Sequence, residues 1–361
     1  MSKMEGSGFR LKKFFTWFLM CVAVISLAAC GKSELLEKEA VTEASTELNI
    51  YMWENYISKE LITNFEAENG CVVHLSYMRD YEDGIRMLRE GGGGQDLIMT
   101  STAYMEPLIE GGYIEKINRN LLPNSSNINE SYWISKSYCV PYLMRYIYVV
   151  YDVDRCPIEI NSYNDLLDPS LEGQVASIDG VRNLFSMALV ALGYSPNSTE
   201  ETELQEAYEW LLQFNENVKA YGNVEQELIR GTASVAVIGD REASLAMAEN
   251  DALRIASLEK DSIQLGVDLY VIPTGAEHID LAKKFLNYIC DPEVMAKNLE
   301  EYPYSCPNDA AVMLSSEVYR NNPARDFDYK KVFFQKDIGE ALALCNDYYQ
   351  ELMERHRGGK S

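Results

Sequence analysis

A short aromatic and polar segment, W-E-N-Y at residues 53–56, lies where a predicted strand gives way to a predicted helix. Residues 48–52 form an apolar run typical of a buried strand, and residues 58–69 carry apolar side chains at helical spacing. In α/β sheets, ligands bind in the crevice outside the carboxyl ends of the strands. Trp53 and Tyr56 supply flat apolar surface at such a position, and the neighbouring Glu supplies negative charge. We therefore predict that this segment forms one wall of a binding cleft.

Polar residues stand at the ends of further predicted strands. Ser101, Thr102, Asp179 and Asp240 each follow such a strand closely. Because carboxyl ends of parallel strands meet at one edge of a sheet, we expect these side chains to face the same cleft. Carboxylate, hydroxyl and aromatic groups together suit a small ligand that carries both charge and apolar surface.

Structural interpretations of the same residues remain open. Asp179 and Asp240 also stand where the N-caps of the following helices are expected. An alternative prediction places the Glu54 side chain in solvent beside the cleft. Another places Trp53 in the core of a lobe. Asp268 differs from these because it lies within an apolar strand, where an unpaired carboxylate is costly.

Short apolar strands alternate with amphipathic helices along the chain, which is typical of an α/β sheet. Two longer β-prone runs, at residues 146–152 and 267–273, each lie between α/β regions. Such runs indicate a chain that leaves one lobe, builds a second lobe and returns to the first. A chain of 361 residues also favours two lobes over one. We predict two lobes with a cleft between them.

The N-terminus has the pattern of an export signal. Four basic residues precede an apolar run at residues 14–29, which is short for a membrane-spanning helix. The run ends in L-A-A-C and resembles the bacterial lipoprotein box, in which Cys30 becomes the lipidated first residue. The polar segment 30–46 is typical of a flexible tether. We expect a lipid anchor at the outer face of the bacterial membrane or in the periplasm.

The charge and the cysteine content of the chain argue against nucleic acid and zinc as binding partners. The net charge is −24, from 56 acidic and 32 basic side chains, and a surface this acidic repels nucleic acid. No C-x-x-C occurs, which argues against a zinc site. An exported compartment permits disulfides, but the pairing stays open and several cysteines are expected as small buried apolar groups. The six that follow the lipoprotein box are Cys71, Cys139, Cys156, Cys290, Cys306 and Cys345.

Catalytic and cofactor motifs are not evident. The chain has three His, none of them in an H-E-x-x-H or a triad pattern. The four-glycine run at residues 91–94 precedes a strand and lacks the Gly-Lys-Ser/Thr of a phosphate loop. We expect no cofactor. A hydrolase acting through two cleft carboxylates remains the main alternative from another class, followed by a structural surface lipoprotein.

An ordered set of motifs runs from about residue 48 to residue 358. The motifs are Y-M-W-E-N-Y, D-L-I-M-T-S-T, M-A-L-V-A-L-G-Y-S, V-D-L-Y-V-I-P, Y-S-C-P-N-D-A-A and D-I-G-E-A-L-A-L-C-N-D-Y-Y-Q. In this order they resemble the spermidine/putrescine-binding proteins of bacterial ABC importers.

The resemblance implies a two-lobed, type II periplasmic-binding-protein-like fold, hinged by crossing strands. It implies a monomeric receptor, not an enzyme, that closes on a small molecule and delivers it to permease subunits. The expected division is 1–29 as signal peptide, 30–46 as tether, 47–147 with 268–312 as lobe 1, and 148–267 with 313–361 as lobe 2.

The resemblance also implies a box of aromatic rings closed by carboxylates, in which a polyamine lies. Cation–π contact contributes about 0.5–2 kcal/mol per ring, and a charge-assisted hydrogen bond about 1.5–3 kcal/mol. Asp268 matches the main carboxylate partner of the amine. The full predicted set is Trp53, Glu54, Asn55, Tyr56, Ser101, Thr102, Asp179, Asn183, Asp240, Asp268, Tyr304 and Gln335.

Several positions depart from the family pattern. Asn55 and Asn183 stand where acids are expected, and Ala103 stands where an aromatic is expected. Gly239 and Gly266 fall on tryptophan positions. These losses of ring and charge leave a second hypothesis open: a receptor of the same architecture for another cation, a zwitterion, or an anion held by an arginine at residue 182 and strand-end amides.

Overall fold

A computed structural model describes residues 46–325 and 331–358 of the chain. The described strands are β1 Glu47–Met52, β2 Val72–Tyr77, β3 Leu97–Ser101, β4 Val140–Asp152, β5 Val175–Ser177, β6 Val218–Tyr221, β7 Val235–Gly239, β8 Leu253–Ile255, β9 Ile263–Val271 and β10 Val332–Phe333. The described α-helices are α1 Lys59–Asn69, α2 Tyr81–Arg89, α3 Met105–Glu110, α4 Val181–Ala191, α5 Glu201–Asn217, α6 Val224–Ile229, α7 Asp240–Glu249, α8 Ile279–Ile289, α9 Pro292–Glu301, α10 Asp309–Leu314, α11 Glu317–Arg320 and α12 Ala341–Gly358.

Two long strands connect the two parts of the sheet. β4 pairs antiparallel with β9 as far as Tyr146, which lies opposite Leu265. From Ile147 onward β4 pairs with β7 instead. The strand order β2-β1-β3-β9-β4-β7-β5-β6 therefore changes from one lobe to the other within β4. The α/β, two-lobed architecture predicted from the sequence is confirmed.

Parallel pairing brings strand ends together in each lobe. β1 lies between β2 and β3 and is parallel to both. In the second lobe β5 lies between β6 and β7 and is again parallel to both. The carboxyl ends of β1, β3 and β5 are followed by the segments that the sequence assigned to a cleft, which is the position expected for ligand contacts in such sheets.

Local sequence explains how α1 follows the W-E-N-Y segment. Ser58 is the N-cap and accepts a hydrogen bond from the Glu60 amide, and Gly70 ends the helix in the left-handed region at φ 62°. Phe65 on the buried face packs edge-on against Phe285 of α8, with ring centres 5.1 Å apart. Burial of a side chain of this size contributes about 1.5–3 kcal/mol.

A buried asparagine fixes the turn between β1 and α1. Asn298 of α9 accepts from the Ser58 amide at 2.9 Å and donates to the Tyr56 carbonyl at 3.0 Å. The Tyr142 hydroxyl donates to the same carbonyl at 2.8 Å. Asn298 is 1% exposed, so water does not reach this point to bond the backbone groups in its place.

Some local expectations differ from the structure. The sequence left an N-cap role open for Asp179 and Asp240, but Gly180 and Gly239 take those positions, and neither of the two helices has a side-chain cap. Gly180 has φ 111°, a conformation that glycine adopts without strain. β4 begins at Val140, earlier than the predicted 146, because the preceding apolar residues continue the pairing with β9.

The six described cysteines are free, and five of them are buried, which confirms their expected role as small apolar groups. No described helix is long and apolar enough to cross a membrane. The predicted signal peptide and Cys30 lie outside the described residues.

We predict that Asn298→Ala destabilises the protein by about 2–4 kcal/mol, because it leaves the Ser58 amide unpaired and weakens the bonds to Tyr56 and Tyr142. Urea unfolding measures the change. Asn120→Ala, at an exposed position, is the matched control and should stay within about 0.5 kcal/mol. Equal effects of the two substitutions would contradict the anchoring role of Asn298.

Candidate functional site

A cavity of about 550 Å³ lies at the junction of the two lobes. The residues that follow the strands β1, β3 and β5 line this cavity, as predicted from their places at strand ends. They are Trp53 after β1, Ser101 and Thr102 around the end of β3, and Asp179 after β5. Arg145, from the middle of β4, also lines it. Strand ends of both lobes and a crossing strand therefore meet at one cavity.

Three aromatic rings form a wall of this cavity. Trp53 packs edge-on against Tyr81, with ring centres 5.1 Å apart, and Tyr81 lies 5.9 Å from Tyr104. The Tyr104 hydroxyl donates to Glu82 at 2.8 Å. Burial, with the Glu82 charge, raises the pKa of Tyr104, so its hydroxyl stays a neutral donor. The wall offers flat faces with a carboxylate at its edge.

Asp268 is held entirely by protein groups. It is 0% exposed and accepts hydrogen bonds from the Tyr56 hydroxyl at 3.0 Å and from the Tyr81 hydroxyl. The Arg145 Nε atom lies 3.6 Å from its Oδ2 atom. Burial raises the pKa of Asp268, while Arg145 and the two hydroxyls oppose that rise. The carboxylate thus lies behind Arg145 and outside the cavity lining.

The remaining predicted residues of the first lobe lie apart from the cavity. Tyr56 and Tyr304 are buried and pack with ring centres 4.6 Å apart. Glu54 and Asn55 are exposed in the turn, and Asn55 has φ 61°. Glu54 therefore lies in solvent, which is one of the two positions that the sequence left open. Trp53 lines the cleft and is not part of the lobe core.

Amide and carboxylate groups line the side of the cavity formed by the second lobe. Asn183 donates to the Asp179 carbonyl at 3.1 Å and accepts from Gln264 at 3.0 Å. Gln335 donates to Gln264 at 3.1 Å. The Asp179 carboxylate accepts from the Tyr349 hydroxyl. Asp179, Asn183 and Gln335, which belong to the predicted contact set, line the cavity.

Asp240 lies in a separate buried network. It is 1% exposed and accepts from the Ser305 amide at 2.7 Å and the Tyr146 amide at 3.3 Å. The Arg325 guanidinium lies 3.4 Å away. Burial raises the pKa of Asp240, and Arg325 and Ser305 oppose the rise. As the first residue of α7, Asp240 ties that helix to β4 and does not line the cavity.

Three residues of the cavity, Tyr81, Tyr104 and Arg145, were not predicted as site residues from the sequence. Tyr104 directly follows Ala103, where the family resemblance expects an aromatic, so the sequence did carry a signal for it. Tyr81, at the start of α2, has no pattern that distinguishes it from a packing residue. Arg145 did carry a signal, because it is the one basic residue within the 13-residue apolar strand β4. A charge in a buried strand requires a partner, and that partner is Asp268.

Two α/β lobes with a cavity between their strand ends are an architecture that this protein shares with solute-binding proteins. Residues 60–326 match the family model for "Bacterial extracellular solute-binding protein", and the chain belongs to this family. Its members are solute-binding proteins of importers and not enzymes, which removes the hydrolase alternative.

Individual relatives cover nearly the whole chain. It is 28% identical to the spermidine/putrescine-binding periplasmic protein of Salmonella typhimurium, over 90% of this chain and 97% of that protein. It is 26% identical to the putrescine-binding periplasmic protein PotF of Escherichia coli, over 84% and 86%. The crystal structure of the substrate-binding protein PotD of a Streptococcus pneumoniae spermidine/putrescine ABC transporter superposes with a TM-score of 0.73 at 23% identity, over 86% of this chain and 100% of that one.

We predict that Asp240→Asn lowers the free energy of unfolding by about 3 kcal/mol, because it breaks a buried ion pair with Arg325. The affinity for a cleft ligand should not change. Asp251→Asn, at an exposed position near the end of α7, is the matched control. Denaturant unfolding and calorimetric binding measure the two quantities. Normal stability with lost affinity would instead identify Asp240 as a ligand contact.

Proposed function

We propose that this protein is the solute receptor of an ABC importer and that it captures a small molecule that carries an aliphatic amine, with spermidine and putrescine as the reference compounds. The main support for this function is the aromatic wall formed by Trp53, Tyr81 and Tyr104, which has acidic side chains around it. The names of the relatives support it, because they bind amines of this kind.

The chemistry of the wall suits such a ligand. Methylene groups pack on flat aromatic faces, and an ammonium group is attracted to the ring face by about 0.5–2 kcal/mol. Asp80, Glu82, Asp179 and Asp337 line the cavity and are exposed enough to accept hydrogen bonds from an ammonium group. Trp53, Ser101, Thr102, Asn183 and Gln335 complete the proposed contact set.

Residues behind the cavity have a supporting role in this proposal. Tyr56 and Asp268 hold Arg145 and Tyr81 in place, and Tyr304 packs against Tyr56. Glu54 and Asn55 do not line the cavity and are exposed in the turn next to Trp53, so in this proposal they contact the ligand only when the lobes close over it. Asp240 stabilises the junction of the lobes from outside the cavity.

We propose the lobe division 47–147 with 268–312 and 148–267 with 313–361. The change of partner within β4, between Tyr146 and Ile147, supports the first boundary. The lobes close on the ligand and the monomer delivers it to permease subunits. Lipidation at Cys30, after removal of residues 1–29, holds the receptor at the outer membrane surface through the tether 30–46.

A thermal-shift panel tests the class of ligand. Polyamines and related aliphatic amines are compared with sugars and with anions that carry no amine. We expect an aliphatic amine to raise the melting temperature, since a ligand at a hundred times its dissociation constant adds about 2.7 kcal/mol of stability. A shift with sugars or amine-free anions alone would contradict the proposal.

The aromatic wall is tested by Tyr104→Ala. We expect weaker binding of the stabilising amine by about 0.5–2 kcal/mol, because one cation–π face is lost. Tyr77→Ala is the matched control, since Tyr77 is 48% exposed and does not line the cavity. Isothermal titration calorimetry measures both. Equal affinities of the two variants would remove Tyr104 from the ligand contacts.

A further inference from the structure

Arg145 projects from β4 into a space that the opposite strand leaves open. Its partner in the strand register is Gly266 of β9. A Cβ atom added at Gly266 would meet its nearest neighbour, the Arg145 carbonyl oxygen, at 3.9 Å, so no side chain crowds that position. Both residues line the cavity. The structure therefore places a guanidinium where the opposite strand contributes no side chain.

The Arg145 guanidinium occupies the cation position beside Asp268. Its Nε atom lies 3.6 Å from the carboxylate, and its Nη2 atom donates to the Tyr81 hydroxyl at 3.1 Å. The Asp268 side chain is 1% exposed, whereas the Arg145 side chain is 38% exposed. A ligand in the cavity consequently meets the arginine and not the carboxylate. An ammonium group at this point would face a fixed positive charge.

A second arginine lines the same cavity. Arg182, at the start of α4, donates through Nη2 to Asn197 at 2.9 Å and to the Lys336 carbonyl at 3.4 Å. Its Nη1 atom is buried and has no hydrogen-bond partner within residues 46–325 and 331–358. A buried donor without a partner is costly. The nearby Asp179 carboxylate accepts a hydrogen bond from the Tyr349 hydroxyl.

The charges of the cavity are close to balance although the chain is strongly acidic. Four basic and four acidic side chains line it, and Asp268 lies behind Arg145 as a fifth carboxylate, whereas the whole chain has a net charge of −24. A site for a molecule with two or more positive charges requires an excess of negative charge at the ligand. A balanced lining suits a ligand whose own charges cancel.

We propose that the ligand is an aliphatic aminocarboxylate, and that Arg145 is the residue that selects it over a diamine. This inference rests on the proposed function and specifies the ligand of the same cleft. The ammonium end lies against the ring wall near Asp80 and Glu82. The carboxylate end accepts hydrogen bonds from the planar guanidinium of Arg145, which presents donors in a fork that matches carboxylate geometry.

The test compares two ligands that differ at one end. Putrescine carries an ammonium group at each end of its methylene chain, and δ-aminovalerate replaces one of them by a carboxylate on the same chain. Isothermal titration calorimetry with the full chain in mild detergent gives the affinity for each. Arg145→Met removes the charge and keeps much of the side-chain volume, and Arg89→Met, at an exposed position, is the matched control.

We expect the protein and its Arg89→Met variant to bind δ-aminovalerate at least about tenfold more tightly than putrescine. Arg145→Met should lose about tenfold to a hundredfold in δ-aminovalerate affinity and gain in putrescine affinity. If Arg145→Met does not fold, the double variant Arg145→Met/Asp268→Asn, which removes both charges of the pair, takes its place. Circular dichroism confirms that each variant is folded.

Two outcomes overturn the inference in different ways. Preference for putrescine that Arg145→Met leaves unchanged would refute the selection by Arg145 and leave the proposed amine receptor intact. Binding of neither compound to any variant, together with no response to other aliphatic amines, would refute the proposed function as well. Tight binding of δ-aminovalerate that survives in Arg145→Met would show that another residue holds the carboxylate, and would also refute the role assigned to Arg145.

Discussion

The ion pair between Arg145 and Asp268 joins the fold of this protein to its cleft. Both residues lie on crossing strands, where β4 and β9 pair just before β4 enters the second lobe. The carboxylate is completely buried, and burial of an unpaired charge there would be prohibitive. Arg145 and the hydroxyls of Tyr56 and Tyr81 satisfy it. The same contacts orient Tyr81, and through it the ring wall formed with Trp53 and Tyr104.

The selection proposed for Arg145 would change the ligand chemistry of a receptor scaffold with few substitutions. The family resemblance implies that Asp268 binds the amine of the ligand and that a tryptophan stands at the position of residue 266. Here Gly266 leaves that space open, and the opposite strand contributes Arg145 to the same cavity. The family carboxylate remains, but its partner is part of the protein. The strands, lobes and rings of the cleft do not have to move for this exchange.

The elements that could be predicted from the sequence depend on neighbours along the chain. Ser58 and Gly70 bound α1 because caps act within one turn, and the apolar periodicity of β1 and α1 is local. Trp53 and Ser101 were found because strand ends are visible in the pattern. Arg145 and Asp268 are more than a hundred residues apart, and only the register of β4 on β9 brings them together. Asp240 was placed in the cleft for the same reason: its partner Arg325 is remote in sequence.

The most direct measurement is a crystal structure of the protein with a bound aliphatic amine. We expect the ammonium group to lie against Trp53, Tyr81 and Tyr104, and Asp268 to keep its contact with Arg145. An ammonium group bonded to Asp268, with the Arg145 side chain turned out of the cleft, would contradict it.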